Sequence, residues 1–529
     1  MAKLERSDKP VSVLLEEFGR GKLGLPEIQR GYVWNKPQTR DLIDSLYHEY
    51  PSGLILLWKP PNELPELRKS AISGVETEKP EFLILDGQQR LTSLKKVFDG
   101  EIDVYFNVED ESFEIYSPKL KANPLWVSVK EVVNKGAVEV WLKLKQQLES
   151  HSPRIGEMEL ERYLKNLYAL EKIKDYRYPV MIIHTEDYDE VTESFIRVNS
   201  KGTRLKEAEL AMARLALLWP GVLVEEFENA LDDYGRVNYN FEARFLMRCY
   251  VAIATGQSRF KNLKPLWNKK RAELEEIWKR TKESIDSTVN FLKNNAGIES
   301  LEWIPSVNAL VPLVVYFSKK QGPLTEEEVK GLLFWFFEAT IHGRFTGSPE
   351  TKIDQDLKAV ESAHPIDALV ANLKKEIPSF DITSEMIEGK YERHPFLPLI
   401  FIIFREKKAE DWFTGTVLSS TNVGPKHQLQ FHHIFPKALL KKSFPPHDID
   451  DIANIAFLSQ EANKKILNSK PEDYLCKIEK ARLEAQCVPM DKELWKVERF
   501  KDFLKNRRNL LKDAINKYLR AIGRVYFNV

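Results

Sequence analysis

The chain has 529 residues, 43% hydrophobic and 30% charged, which excludes a disordered or collagen-like polymer and leaves room for two to four packed domains. Lys plus Arg and Asp plus Glu both number 79, so any basic surface for nucleic acid has to be a local patch, not a property of the whole chain. The three cysteines, Cys249, Cys476 and Cys487, are scattered, which argues against a disulfide framework or a zinc–cysteine site and fits a reducing cytoplasm.

The first ten residues, MAKLERSDKP, carry charge and no apolar signal core. A short helix is predicted from Val11 to Phe18 and a second from Lys36 to Tyr50, with Leu42, Ile43, Leu46 and Tyr47 at helical spacing behind a proline. Strand-like runs follow at Leu54–Trp58 and Phe82–Leu85, the second breaking at Asp86-Gly87 into a helical pattern from Leu91. Further strands are expected at Ile102–Asn107, Phe113–Tyr116 and Tyr178–His184, around a helical stretch from Ala137 to Lys174. After Trp219 strand signals vanish, and amphipathic patterns run through Phe241–Ala254, Lys264–Asn294 and Glu326–Ala339. The longest apolar stretch, Phe396–Phe404, is too short to span a bilayer, so a cytoplasmic protein without a membrane segment is expected. The chain ends in a long amphipathic helical pattern from Lys492 to Arg520. The fold class expected is α+β and predominantly helical, with an α/β module over 1–218, a helical linking region over 219–385 and a C-terminal domain over 386–529.

Three N-terminal clusters put amides, an Arg and a Gly on predicted turns: Leu25–Trp34 with Gln29, Arg30 and Gly31, Leu85–Leu91 with Asp86-Gly87-Gln88-Gln89-Arg90, and Phe195–Leu205 with Asn199, Gly202 and Arg204. A glycine lets backbone approach a phosphate, a helix start offers unpaired N–H groups, and an arginine supplies a planar fork for phosphate oxygens. No GxxxxGK[ST] occurs, so a P-loop is not the device. Tyr32 and Trp34 read as core aromatics ahead of a base-reading cage.

The C-terminal third holds four of the ten histidines, His427, His432, His433 and His447, within about twenty residues. Leu429–His433 alternates and then meets Pro436, so it reads as a strand delivering two adjacent imidazoles to opposite faces. Asn454–Leu458 reads as a second strand, and Ser459 caps a helix that carries Asn463 one turn in. Lys437, Lys464 and Lys465 are placed to meet phosphates, while His427 and His447 read as surface residues. From Phe500 to the C-terminus eight basic residues face two acidic ones; as a DNA-binding patch this stretch would act through Arg507 and Arg508, and as a solvated helix face it would not.

The pattern His432-His433-Ile434 with Pro436, then Asn454, then Asn463-Lys464 nine residues later, resembles the ββα-metal core of HNH nucleases. The resemblance implies that His433 is the general base, that His432 and Asn463 hold one divalent metal, Mg²⁺ or Mn²⁺, and that Asn454 orients the loop. Many HNH sites have Asp or Glu where this chain has His432, which makes the site less negative. The three N-terminal clusters, with Leu91-Thr92 after the DGQQR run, resemble the N-terminal domain of GmrSD-type modification-dependent restriction enzymes, a ParB-like fold that binds and hydrolyses a nucleoside triphosphate. That resemblance spans Lys3 to Arg214 and makes Asp86, Gly87, Gln88, Gln89 and Arg90 nucleotide-site candidates, Asp86 and Arg90 also catalytic ones, with Gln29, Arg30 and Asn199 secondary. It implies an enzyme that cuts foreign, modified phage DNA under nucleotide control, with a homo-oligomer left open. Two other readings stay open beside it: a phosphorothioate-sensing nickase of the same architecture, and a nucleotide-switched DNA-binding protein with an inactive nuclease core.

Overall fold

A computed structural model describes residues 3–27, 32–60, 80–121, 123–151, 156–185, 190–191, 194, 207–261, 263–389, 394–418 and 429–527. It is α+β and predominantly helical, and its contacts divide the chain into two units, Met1–Glu228 and Asn229–Val529. Among the described residues no helix is long and apolar enough to cross a membrane.

The first unit is built on a five-stranded sheet in the order β1-β8-β3-β4-β2, from β1 (Lys3–Pro10), β2 (Leu23–Gly24), β3 (Ile55–Lys59), β4 (Phe82–Asp86) and β8 (Arg177–His184). β3 lies parallel to β8 and antiparallel to β4, and its residues Ile55–Trp58 are all buried, the continuous apolar run of a central strand. β1, antiparallel to β8 over its whole length, is absent from the sequence expectations for a physical reason. It is an edge strand of sequence KLERSDKP, mostly exposed, and charges on an edge discourage further pairing while hiding the strand from a hydrophobic scan. A smaller sheet, β6-β5-β7, comprises β5 (Val104–Asn107), β6 (Phe113–Ile115) and β7 (Trp126–Ser128). Helices α1 (Val11–Gly19), α2 (Lys36–Tyr47) and α3 (Gln88–Asp99) pack their apolar faces into the same core as the strands. Asn35 starts α2 through a capping box, its side chain accepting from Gln38 N–H while the Gln38 side chain accepts from Asn35 N–H.

Among its described residues the second unit is helical apart from one two-stranded sheet and an isolated bridge between Glu410 and Val417. Its long helices α4 (Arg271–Ala296) and α5 (Glu326–Ile341) differ in pattern. α4 buries Leu274, Ile277, Trp278, Ile285, Val289 and Leu292, one face of an amphipathic helix. α5, started by a Thr325–Glu328 capping box, is buried all round from Gly331 to Ile341. The apolar stretch Phe396–Phe404 lies in α6 (Phe396–Glu406) and is buried along its whole length, a core helix of this unit.

Candidate functional site

In the second unit, β9 (Leu429–His433) pairs antiparallel with β10 (Ile455–Ser459) in a register that sets His433 opposite Ile455 and His432 opposite Ala456. Helix α7 (Gln460–Ile466) follows at once, because Ser459 caps it by accepting from Ala462 N–H at 3.2 Å. Asp411, itself buried, accepts from Ser459 N–H at 2.7 Å, and Gln486 clamps Phe457 through both its N–H and its C=O. Burial opposes ionisation of Asp411, yet the backbone N–H groups of Ser459, Thr414 and Phe413 hold its carboxyl below the usual range.

His432 points inward. Its Nδ1 lies 2.7 Å from Asn463 Oδ1, a separation that suits either an N–H···O bond or two atoms facing one cation. Burial pushes its imidazolium down to about 4 against the opposing Asn463 bond, so the ring is neutral near pH 7, the form that can ligate a metal. Its Nε2 is buried with no hydrogen-bond partner among the described residues. His433, at the strand's end, is partly exposed and its Nε2 lies 3.0 Å from Asp450 Oδ1, which Lys437 Nζ also reaches. One residue of the pair thus faces the interior and the other the surface, as adjacent strand positions require.

Asn454 is fully buried and its side chain bonds to backbone. Its Oδ1 accepts from Phe435 N–H at 2.8 Å, and its Nδ2 donates to Phe435 O at 3.1 Å and Ile449 O at 2.9 Å, so it staples both ends of the β9–β10 connection. Ile434 N–H adds a bond to Asn454 O, and Tyr474 Oη donates to Ile434 O. Lys437, Lys464 and Lys465 are exposed, although Lys465 pairs with Glu461 and Lys437 with Asp450. His447 is exposed; His427 lies outside the described residues.

The long C-terminal helix α8 (Phe500–Ile522) overturns one expectation. Arg507 and Arg508 do not face solvent as a phosphate-binding patch. Arg507 is completely buried, donates to Ala453 O and Gln486 O, and is pushed down to about 10 by burial. Arg508 donates to the buried carboxylate of Asp451 at 2.6 Å and to Glu388 at 2.9 Å. Helical spacing turns both guanidiniums from the solvent side toward the β9–β10 connection, where they satisfy buried carbonyls and a buried carboxylate.

In the first unit, β4 ends at Asp86 beside a register shift between Leu56 and Leu57 of β3. Gly87 opens α3 with φ +100°, a left-handed conformation that demands glycine, and a Cβ there would also push the Ile55 Cδ1 methyl aside. Arg90 folds back one turn: Nη2 donates to Asp86 Oδ2 at 2.7 Å, Nη1 to Ser52 O at 2.7 Å, and the guanidinium lies over the Tyr178 ring. Its fork is therefore engaged by protein and has to exchange partners before it meets a phosphate. Gln89 Oε1 accepts from Val33 N–H at 2.9 Å and Trp34 N–H at 3.3 Å, tying α3 to the chain before α2. The Gln88 Oε1 and Thr92 Oγ1 atoms are buried without a hydrogen-bond partner among the described residues. Tyr32 bonds Thr39 and Ser93, and Trp34 packs on the core. Gln29, Arg30 and Asn199 lie outside the described residues.

Sequence reasoning missed Asp450, Asp451, Asp411, Gln486 and the Ser52–Tyr178 pair that receives Arg90. The acidic run Asp448-Ile-Asp450-Asp451 just ahead of Asn454 is the one signal that pointed to the first two. Among the described residues no group of three or more His, Cys, Asp or Glu could hold a metal ion. The donors present, one neutral imidazole nitrogen and one amide oxygen, are of the kind that would hold a divalent cation.

Residues 11–216 match the family described as "GmrSD restriction endonuclease, N-terminal domain". An uncharacterized protein of Methanocaldococcus jannaschii is 24% identical over 539 residues, covering 89% of this chain and 87% of the relative.

Proposed function

We propose that the chain is a metal-dependent DNA endonuclease of the HNH type, gated by a nucleoside triphosphate at its N-terminal unit and directed at modified foreign DNA. The observation that carries the reading is the strand–strand–helix unit in which His433 stands at the surface while His432 and Asn463 converge behind it. The match of residues 11–216 to a restriction-endonuclease domain supports DNA as the substrate and supports modified DNA as its class.

The roles follow from placement. His433 takes a proton from a water as that water's oxygen bonds to phosphorus and the P–O bond to the leaving oxygen breaks. His432 and Asn463 would hold a divalent cation, which when bound supplies charge stabilisation at the scissile phosphate. Asn454 keeps the connection that carries His433 in register. Lys437 and Lys464 sit where the DNA backbone would approach. In the first unit, the N–H groups at the start of α3, the close backbone allowed by Gly87, and the buried Gln88 amide oxygen would receive a nucleotide, with Asp86 and Arg90 exchanging their mutual ion pair for its phosphates and metal.

The experiment is nicking of matched plain, glucosylated, hydroxymethylated and phosphorothioated plasmid by the full chain with Mg²⁺ or Mn²⁺, with and without each nucleotide. Cutting confined to one modified substrate and absent in His433→Ala is expected. Binding without cutting on every substrate would leave a DNA-binding protein with an inactive core, and cutting of phosphorothioated DNA alone would identify a nickase of that specificity.

A further inference from the structure

A carboxylate that no motif asks for sits against the imidazole assigned as the base. Asp450 Oδ1 is 3.0 Å from His433 Nε2, and Lys437 Nζ bonds the same oxygen. The backbone on both sides of Asp450 is pinned. Its own N–H donates to Pro446 O at 2.9 Å. Ahead of it, Ile449 O accepts from Asn454. Behind it, Asp451 is fully buried and takes bonds from Arg508, Gly389 N–H and Ala453 N–H. A short side chain on so fixed a backbone delivers its carboxylate to one place, whereas an ordinary surface ion pair joins two mobile chains. Burial works against ionisation of Asp450, but Lys437 and His433 hold its carboxyl below the usual carboxylate range. An ionised carboxylate can only accept, so the bond has one sense: Nε2–H donates, and the lone pair is left on Nδ1.

We propose that Asp450 is the positioning residue of this site: it fixes the plane of the His433 ring and its Nε2–H tautomer, so that Nδ1 is the nitrogen that faces the attacking water. The inference rests on the reading of His433 as the base. Asp450 itself meets neither DNA nor the reacting atoms. Lys437, on the same oxygen, offsets the carboxylate's charge and keeps the shared proton on the ring.

The test uses the full chain labelled with ¹⁵N-histidine, as wild type, Asp450→Ala and Asp450→Glu, with His433→Ala to assign the resonance. Long-range proton–nitrogen correlations at about pH 8, where an ordinary imidazole is neutral, read the tautomer. Wild type should show His433 as the Nε2–H form, and Asp450→Ala should lose that preference. On the same preparations, single-turnover nicking by Asp450→Ala should fall about 10- to 100-fold, the loss seen when the partner of a functional imidazole is removed. DNA affinity should hold, and Asp450→Glu should recover part of the rate. An unchanged tautomer in Asp450→Ala, or nicking within about two-fold of wild type, overturns the proposal. Cutting by His433→Ala, or none by wild type, sinks the nuclease reading instead, and the tautomer comparison then decides alone whether Asp450 orients the ring.

Discussion

At the scale of single residues, identical chemical types do opposite work, and burial separates them. Asn454 and Asn463 stand nine positions apart in the sequence, but one is sealed among three backbone partners while the other presents its oxygen to His432. Asn454→Ala should therefore strip three backbone groups of their partner and cost on the order of 2–4 kcal/mol of stability, read as a lower midpoint in denaturant. Asn463→Ala should leave that midpoint nearly unmoved and raise the Mn²⁺ concentration needed for nicking; equal metal dependence in the two variants would refute the division of roles. His433→Ala should abolish nicking by about 10²- to 10⁴-fold while nucleotide turnover persists. The strand that carries the two histidines and the Ser459-capped helix that carries Asn463 were legible in the sequence because strand alternation and cap chemistry are local. Asp450 was not, since its meaning comes from a bond across seventeen positions of chain that no periodicity encodes. Leu467 is a residue of a different kind: it ends α7 with φ +44° while 68% exposed, so it holds a strained backbone without burying its side chain. Leu467→Gly should raise stability by about 1 kcal/mol by releasing that strain.

At the scale of elements, the β9–β10 pair has too few residues to hold itself, and a two-stranded hairpin alone is marginal in water. What fixes it is α8, whose Arg507 reaches Ala453 O and Gln486 O and whose Arg508 reaches Asp451. Amphipathic periodicity correctly announces such a helix, but it assigns every charged residue to the solvent side. It is blind to arginines that pair inside, which is why these two read as a DNA patch or a solvated face and not as core residues. Arg508→Ala should leave the Asp451 carboxylate buried and unpaired, at a cost of about 3–5 kcal/mol, and should lower the thermal midpoint sharply. A variant that folds as wild type but binds DNA with a flatter salt dependence would reverse this assignment in favour of phosphate contact. The edge strand β1 failed the sequence reading for the matching reason: its pairing is through backbone, and its side chains carry charge.

At the scale of the whole molecule, two units share one chain, and a cutting site joined to a nucleotide site has a use only if each state of the nucleotide favours a different state of the nuclease. Such coupling requires that the ligand bind the two states with different affinity, and a difference of 1–3 kcal/mol would shift cutting by about 5- to 150-fold. Arg90 is the residue on which this is best tested, because its guanidinium already joins Asp86 to Ser52 O and would have to change partners for a phosphate to bind there. Arg90→Ala should abolish nucleotide turnover and change the rate at which modified DNA is cut, in the same preparation. It should also lose the two charge-assisted bonds, worth about 1.5–3 kcal/mol each, so thermal unfolding has to be followed alongside. Arg90→Lys separates the two effects: it keeps a cation near Asp86, and so most of the fold, but lacks the planar fork that phosphate recognition uses. If Arg90→Lys unfolds near the wild-type midpoint, fails to turn over nucleotide and cuts DNA at an altered rate, the units are coupled. If wild-type cutting ignores every nucleotide and both variants cut as wild type does, the two units share a chain without sharing control.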